Sequence, residues 1–315
     1  MGLTCSRGVS AFGEARAPGT CGELVQGRIG SQDFLVTCPV NLYSTARVEL
    51  RGLTARALGS SYPDPCIDVR WGVPGEGWKT RLAVARTLEF LGFTAGEVWV
   101  EVDSPIPVSK GMASSSADIS AASWATALAL GVPITPWQVA RVALSIEPTD
   151  GVMFQGCVIF DHRRGRCVHS LGQPPPMRAL VVETGGEVDT LHFNAREDLG
   201  RLNAAKEHWV GLALTAVVRG VLQSHPALVA WGATASAMAH QAVLEKRLLE
   251  ELVAATAPVG ALGVSVAHSG SVIGVLLPCD GPVEALARTV ERVGAGKPLG
   301  VYNLVGGGVR DGSRG

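Results

Sequence analysis

The sequence predicts an α+β fold in two domains. Three observations carry that expectation. Strand-like and helix-like segments are mixed without the regular alternation that builds a doubly wound parallel sheet. Period-two stretches of half-buried strand precede long 3.6-period stretches of helix. The run Gln173-Pro174-Pro175-Pro176, stiff and unable to join a sheet, interrupts the pattern near the middle. The expected domains are therefore 1–172 and 177–305, with the Gly-rich segment 306–315 as a flexible tail. A chain of 315 residues with 47% hydrophobic content has enough apolar surface for such cores.

The elements follow in order. Leu42, Ser44, Ala46, Val48 and Leu50 alternate with polar neighbours and predict a strand, and Phe34 to Val40 is expected to pair with it. Lys79 to Leu91 sets Leu82, Ala85, Leu88 and Leu91 on one helical face, closed by Gly92. Val98, Val100 and Val102 mark another strand. After a loop from Ser104 to Ala113, the alanine-rich stretch Ser114 to Leu130 predicts a buried helix ended by Gly131. Thr135 and Pro136 cap and start the next, which runs to about Ile146. A short strand from Gly156 to Asp161 leads into a hairpin turn, whose Arg163, Arg164 and Arg166 are expected to be solvated. Beyond the prolines come a strand at Ala179 to Glu183 and helices over Ala195 to Ala255, broken at His225-Pro226. Paired strands at Leu262 to Ala267 and Val272 to Leu277, a helix from Pro282 to Val293 and a strand at Val301 to Val305 complete the chain.

Bulk chemistry excludes several classes of function. Lys and Arg total 27 against 28 Asp and Glu, so there is no charge excess to hold nucleic acid or an acidic membrane surface. The seven cysteines are scattered and form no CxxC pair, against both a disulfide framework and a zinc site. No apolar stretch is long enough to span a bilayer, and the first 17 residues carry no secretory h-region. A reduced, soluble, cytoplasmic protein is expected. Its oligomeric state is not written in these features.

The segment from Pro105 to Asp118 carries the most chemistry. Pro107, Val108, Ser109, Lys110, Gly111, Met112, Ala113, Ser114, Ser115 and Ser116 lie between a strand and a long helix. Small residues let the backbone approach an anion, and serines can cap the helix. The first N–H groups and the positive end of the helix dipole then face the ligand, with Lys110 adding a mobile charge. An ordinary serine-capped helix start is the alternative.

Pro107-x-x-x-Gly111-Met112-Ala113-Ser114-Ser115 resembles the phosphate-loop signature of the GHMP kinases, with Met112 in place of leucine and Ala113 in place of glycine. The second change requires that the loop not need a positive φ there. Ala17-Pro18-Gly19-Thr20-Cys21-Gly22-Glu23 resembles the family's first motif, shortened and without its lysine. Ala267-His268-Ser269-Gly270-Ser271 resembles a degenerate form of its C-terminal glycine-rich loop. Together with Cys38-Pro39-Val40, Tyr43-Ser44-Thr45, Glu147-Pro148-Thr149-Asp150 and Phe160-Asp161-His162, these look like the L-threonine kinase branch, over roughly residues 16 to 275.

That resemblance implies an N-terminal domain like ribosomal protein S5 domain 2 and a ferredoxin-like C-terminal domain, with the site in the cleft between them. It implies an ATP–Mg²⁺-dependent kinase that makes O-phospho-L-threonine for the aminopropanol linker of cobalamin. ATP would lie along Pro107 to Ser116, and Ser115 would help hold magnesium. Asp150 takes the place of the family's aspartate, as general base or substrate-binding group; by its residues alone Pro-Thr-Asp-Gly is turn chemistry. Glu147 is a candidate magnesium ligand or a solvated helix-end carboxylate. Asp118, one turn into an apolar helix, would face magnesium or Lys110, or sit in a buried salt bridge. Glu23 would pair with the ammonium of an amino-acid substrate, with Gly22 allowing close approach, or be a surface loop residue, and Ser269 and Gly270 would close the site or merely form a hairpin turn. Three alternatives keep the fold: a homoserine or isoprenoid-precursor kinase, a catalytically inactive ligand-binding protein, and an ATP-dependent decarboxylase.

Overall fold

A computed structural model of the chain describes residues 10–55, 70–72, 77–186 and 190–312; Cys5, Cys66 and the last three residues of the tail lie outside them. The N-terminal half holds strands β1 (Ala11–Ile29), β2 (Gln32–Arg51), β3 (Thr54–Ala55) and β4 (Arg70–Gly72), then helix α1 (Trp78–Leu91). It continues through β5 (Phe93–Thr94), β6 (Glu97–Asp103), α2 (Ser114–Leu130), α3 (Pro136–Leu144), β7 (Cys157–Phe160) and β8 (Val168–Gly172). After the prolines come β9 (Arg178–Glu183), α4 (Thr190–Asn194), α5 (Leu199–Ala205), α6 (Glu207–Leu222), α7 (Pro226–His240) and α8 (Leu249–Thr256). The chain ends in β10 (Gly263–Val266), β11 (Val272–Leu277), α9 (Val283–Val293), β12 (Lys297–Asn303) and β13 (Arg310–Asp311).

One sheet runs through both halves in the order β12-β9-β11-β10-β1-β2-β6-β4. All its pairings are antiparallel except β4 with β6. The expected boundary at 173–176 falls between β8 and β9, yet β1 pairs with β10 beyond it, so the halves are joined through their strands. Glu23 stands at that join, opposite Thr37 of β2 and Val266 of β10.

Two expectations need correction. Phe34 to Val40 does not pair with Leu42 to Leu50; both belong to the 20-residue β2, which pairs with β1 along one side and with β6 and β7 along the other. The chain reverses earlier, in the two-residue turn between Ile29 and Gln32, and Asn41 leaves the strand direction unchanged. The tail is also not free through Gly312. Asp311 and Arg310 pair with Ala15 and Arg16 of β1, Gly307 N donates to Gly156 O at 3.0 Å, and Val309 is buried. Composition signalled disorder, but pairing to an exposed strand edge satisfies the backbone and orders it.

Helix α2 is apolar all round and buried against β1 and β2, as a helix without a polar face must be. Its C-terminus ends on left-handed Gly131, and α3 begins with a Thr135–Gln138 capping box and Pro136. These stops fix the length and position of α2, and so the place where its N-terminus opens.

Candidate active site

The N-terminus of α2 opens into a cleft whose walls come from seven parts of the chain. Glu23 of β1, Leu35 of β2, and Gly111 with Ala113 to Ser116 at the start of α2 supply three of them. Glu147 to Asp150, following α3, form another. His162 after β7, Asn194 at the end of α4, and His268 and Ser269 of the β10–β11 turn complete it. The structure thus brings Glu23, Ser114, Ser115, Ser116, Glu147, Asp150 and Ser269 together across more than 240 residues of sequence.

The loop before α2 is held by its backbone. Lys110 O accepts from Ser271 N at 2.9 Å and from Val272 N at 3.1 Å, while Met112 O accepts from Thr20 N at 3.0 Å. Gly111, at φ +83, faces Gly270: a Cβ on Gly111 would lie 2.3 Å from the Ala267 Cβ, and one on Gly270 would lie 2.4 Å from the Gly111 backbone. Gly270 therefore seats the loop before α2 rather than lining the cleft. Gly22 has a similar use, since a Cβ there would meet the Val266 backbone at 2.4 Å. The approach its missing side chain permits is to β10.

Ala113 is the N-cap of α2, and it is left-handed, at φ +58 and ψ +30. The requirement that this position avoid positive φ is therefore not met; the loop takes a glycine-like turn with alanine in it. An alanine cannot cap by side chain, and none does, so Ser114, Ser115 and Ser116 present first-turn N–H groups that the helix itself cannot satisfy. The strain predicts that Ala113→Gly raises stability by about 0.5–1 kcal/mol, the αL relief less the added unfolded-state entropy. Urea unfolding of the two proteins measures it.

Three carboxylates converge below this helix start. Glu147 accepts a hydrogen bond from Ser115 Oγ through one oxygen and ion-pairs with Lys79 Nζ at 2.7 Å through the other. Ser116 Oγ donates to Asp150 Oδ2 at 3.3 Å and accepts from Asp150 N at 3.1 Å and Thr149 Oγ1 at 3.0 Å. Desolvation outweighs the Ser116 bond and, with the charge of Glu147, pushes the Asp150 carboxyl up to about 6. Glu23 is raised well above the usual carboxylate range, first by burial and then by the charge of Asp150. Its Oε2 is buried with no hydrogen-bond partner among the described residues.

The remaining candidates lie elsewhere. Lys110 Nζ ion-pairs with Glu183 Oε1 at 2.6 Å, on β9. The Met112 side chain is core, and Val108 is 71% exposed. Asp118 lies outside the lining and accepts from Ser44 Oγ at 2.5 Å; burial raises its carboxyl against the opposing effects of Ser44, Ser104 and the Lys79 charge. Arg163 is not simply solvated: it reaches Asp33 at 3.4 Å and donates to Asn194 O at 3.1 Å, tying the hairpin turn to the end of α4.

Several site residues were not singled out from sequence. His162 and His268 stood inside motifs already quoted, and their signal was residue type in a loop. Their rings are 5.0 Å apart, and burial pushes His162 down to about 4, so it is neutral near pH 7. Lys79 looked like any polar residue at the start of an amphipathic helix, and Asn194 had no local signal at all.

Ser115 Oγ and the Glu147 carboxylate are adjacent hard oxygen donors, one neutral and one anionic. That set fits magnesium, which takes one or two protein carboxylates and fills its remaining positions with water and phosphate oxygens.

Comparisons with known proteins give the family. The family model "GHMP kinases N terminal domain" matches residues 79–157, from Lys79 through the loop before α2 and Asp150. An L-threonine kinase of Salmonella typhimurium is 34% identical over 266 residues, 84% of this chain and 82% of that protein. In fold, the chain is similar to a homoserine kinase from Cytophaga hutchinsonii, with TM-score 0.68 and 16% identity over 98% of this chain and 99% of that one. It is also similar to MDDEF solved in complex with MVAPP, AMPPCP and magnesium, with TM-score 0.65 and 14% identity over 96% and 99%. A relative this similar over this much of both chains, with the family's own loop at the mouth of the cleft, shows that the chain belongs to the GHMP kinases.

Proposed function

We propose that this protein transfers the γ-phosphoryl group of ATP to the side-chain hydroxyl of L-threonine, giving ADP and O-phospho-L-threonine. The observation that carries the reading is the uncapped start of α2 opening onto a cleft that also holds Asp150 and an unpartnered Glu23. Likeness to the Salmonella L-threonine kinase supports the choice of amino acid.

Each group then has a task. First-turn N–H groups of Ser114 to Ser116 and the α2 dipole hold the triphosphate. Ser115 and Glu147 would hold magnesium, which would supply positive charge against the phosphates. Asp150 accepts the hydroxyl proton; a carboxyl near 6 is ionised at pH 7 and is still a better base than an ordinary aspartate. Glu23, poorly stable as an isolated buried anion, becomes ionised beside the substrate ammonium, which supplies the partner that the protein does not. The product would serve the aminopropanol linker of cobalamin, as the resemblance of the whole motif set implies.

ADP release measured by a coupled assay with L-threonine, L-serine, L-homoserine and mevalonate checks the reading. Threonine is expected to give the highest kcat/KM, with serine lower by about 10–100-fold for its missing methyl. Turnover of mevalonate or homoserine above threonine would reject it.

A further inference from the structure

The wall formed by His162, Asn194 and His268 has an unusual backing. Gln26 Nε2 donates to Val266 O at 3.1 Å, which leaves Gln26 Oε1 as the acceptor for His268 Nδ1 at 2.9 Å. His240 Nε2 donates to the His268 carbonyl at 3.1 Å, so His240 Nδ1 accepts from Lys206 Nζ, also at 3.1 Å. Lys206 Nζ donates further to Gln26 O at 3.2 Å. Lys206 is 4% exposed and Lys246 is 2% exposed, and Lys246 Nζ has no hydrogen-bond partner among the described residues. Neither lysine forms an ion pair with a carboxylate among them. Both lie close enough to His240 and His268 for their charges to act on the two rings.

Two buried amines without a carboxylate are costly, and packing alone would be served better by methionine. Such groups persist where a ligand supplies the opposite charge. The adjoining cleft has polarity to match: Glu23 and Asp150 disfavour an anion in one part of it, whereas the wall of neutral imidazoles, with two amines behind it, favours one. An amino acid carries both charges a short distance apart.

Building on the threonine reading, we propose that the His162–Asn194–His268 wall receives the carboxylate of the amino-acid substrate, with Lys206 and Lys246 as positioning residues that make this wall electropositive. His162 and Asn194 line the cleft, and both ring nitrogens of His162 are buried without a hydrogen-bond partner among the described residues. The relay Lys206–His240–His268 and Lys246 stand behind them; burial pushes Lys206 down to about 7 and Lys246 to about 8, and a carboxylate at the wall would hold both amines in the charged form. Glu23 takes the ammonium, and the side-chain hydroxyl is left toward Asp150.

The test compares L-threonine with L-threonine amide, and L-homoserine with its amide, in the wild type, Lys246→Met, Lys206→Met and Lys246→Arg. The wild type is expected to favour the acid over the amide by about 100-fold or more in kcat/KM. Each Met variant lowers that ratio about tenfold or more, chiefly through KM for the acid, and Lys246→Arg largely restores it. Thermal unfolding gives the control: Lys246→Met melts at or above the wild-type temperature, whereas a purely structural lysine would lower it. Equal use of acids and amides by the wild type, or an acid preference that survives both Met variants, overturns the proposal. If homoserine is used and threonine is not, the threonine reading fails, while the acid-to-amide ratio of homoserine still decides the carboxylate wall.

Discussion

Asp150→Asn lowers kcat by about 10²–10⁴-fold, the usual worth of a positioned general base, while leaving ATP binding near its original strength. The same substitution makes the protein more stable. The Asp150 carboxyl is raised to about 6 in the folded state, so folding favours its protonated form. A raised pKa contributes stability that is complete below the unfolded value and is lost as pH rises through the folded one. For Asp150 that window runs from about pH 4 to pH 6. At pH 7.5 the asparagine variant, neutral at every pH, is therefore expected to gain about 1–2 kcal/mol after allowance for the partial exposure of the group to the cleft. Activity moves oppositely in the wild type, rising through pH 6 as the base ionises. Steady-state kinetics with urea unfolding at pH 5 and 7.5 reads both effects. A variant that loses activity without gaining stability at pH 7.5 would contradict the assignment of a desolvated base.

Gly270→Ala is expected to cost about 100-fold in kcat/KM for ATP, although residue 270 does not line the cleft. The added methyl would sit 2.4 Å from Gly111 and from Lys110 O, backbone atoms that cannot rotate away. The loop must shift, and a displacement of about 1 Å at a transferring group is enough for a loss of that size. Overpacking adds about 1–3 kcal/mol of destabilisation. Nucleotide titration beside kinetics distinguishes the causes: the account predicts weaker ATP binding with the amino-acid KM nearly unchanged. Unaltered ATP affinity would mean that the loop is not seated by this turn.

Much of the architecture was legible because local chemistry and tertiary demand agree. The capping box at Thr135, the glycine stops at Gly92 and Gly131, and the apolar runs of β10 and β11 are all local signals that packing reinforces. The errors arise where a distant partner decides. Residues 34–40 and 42–50 read as two strands because pattern marks strand but not partner, and β1 supplies the pairing for both. The tail reads as disordered because its order comes from β1, nearly 300 residues away.

The site divides in the same way. Ser115, Glu147, Asp150 and Glu23 were readable as residue types in suggestive loops. What each one touches was not, because the loops meet only after β1 and β10 pair. Gly270 looked like a cleft residue and is a spacer under the loop. Met112 looked like part of a binding motif, and its side chain is core. Lys206, His240 and Lys246 gave no motif at all, since a buried cation is conspicuous only once its burial is known.

Phosphorus NMR of the protein incubated with ATP, magnesium and L-threonine tests the central claim most directly. A new phosphomonoester resonance, coupled to the threonine β-proton, is expected to grow in step with ADP. Inorganic phosphate in place of that ester, or an ATP spectrum unchanged at high enzyme concentration, would contradict it.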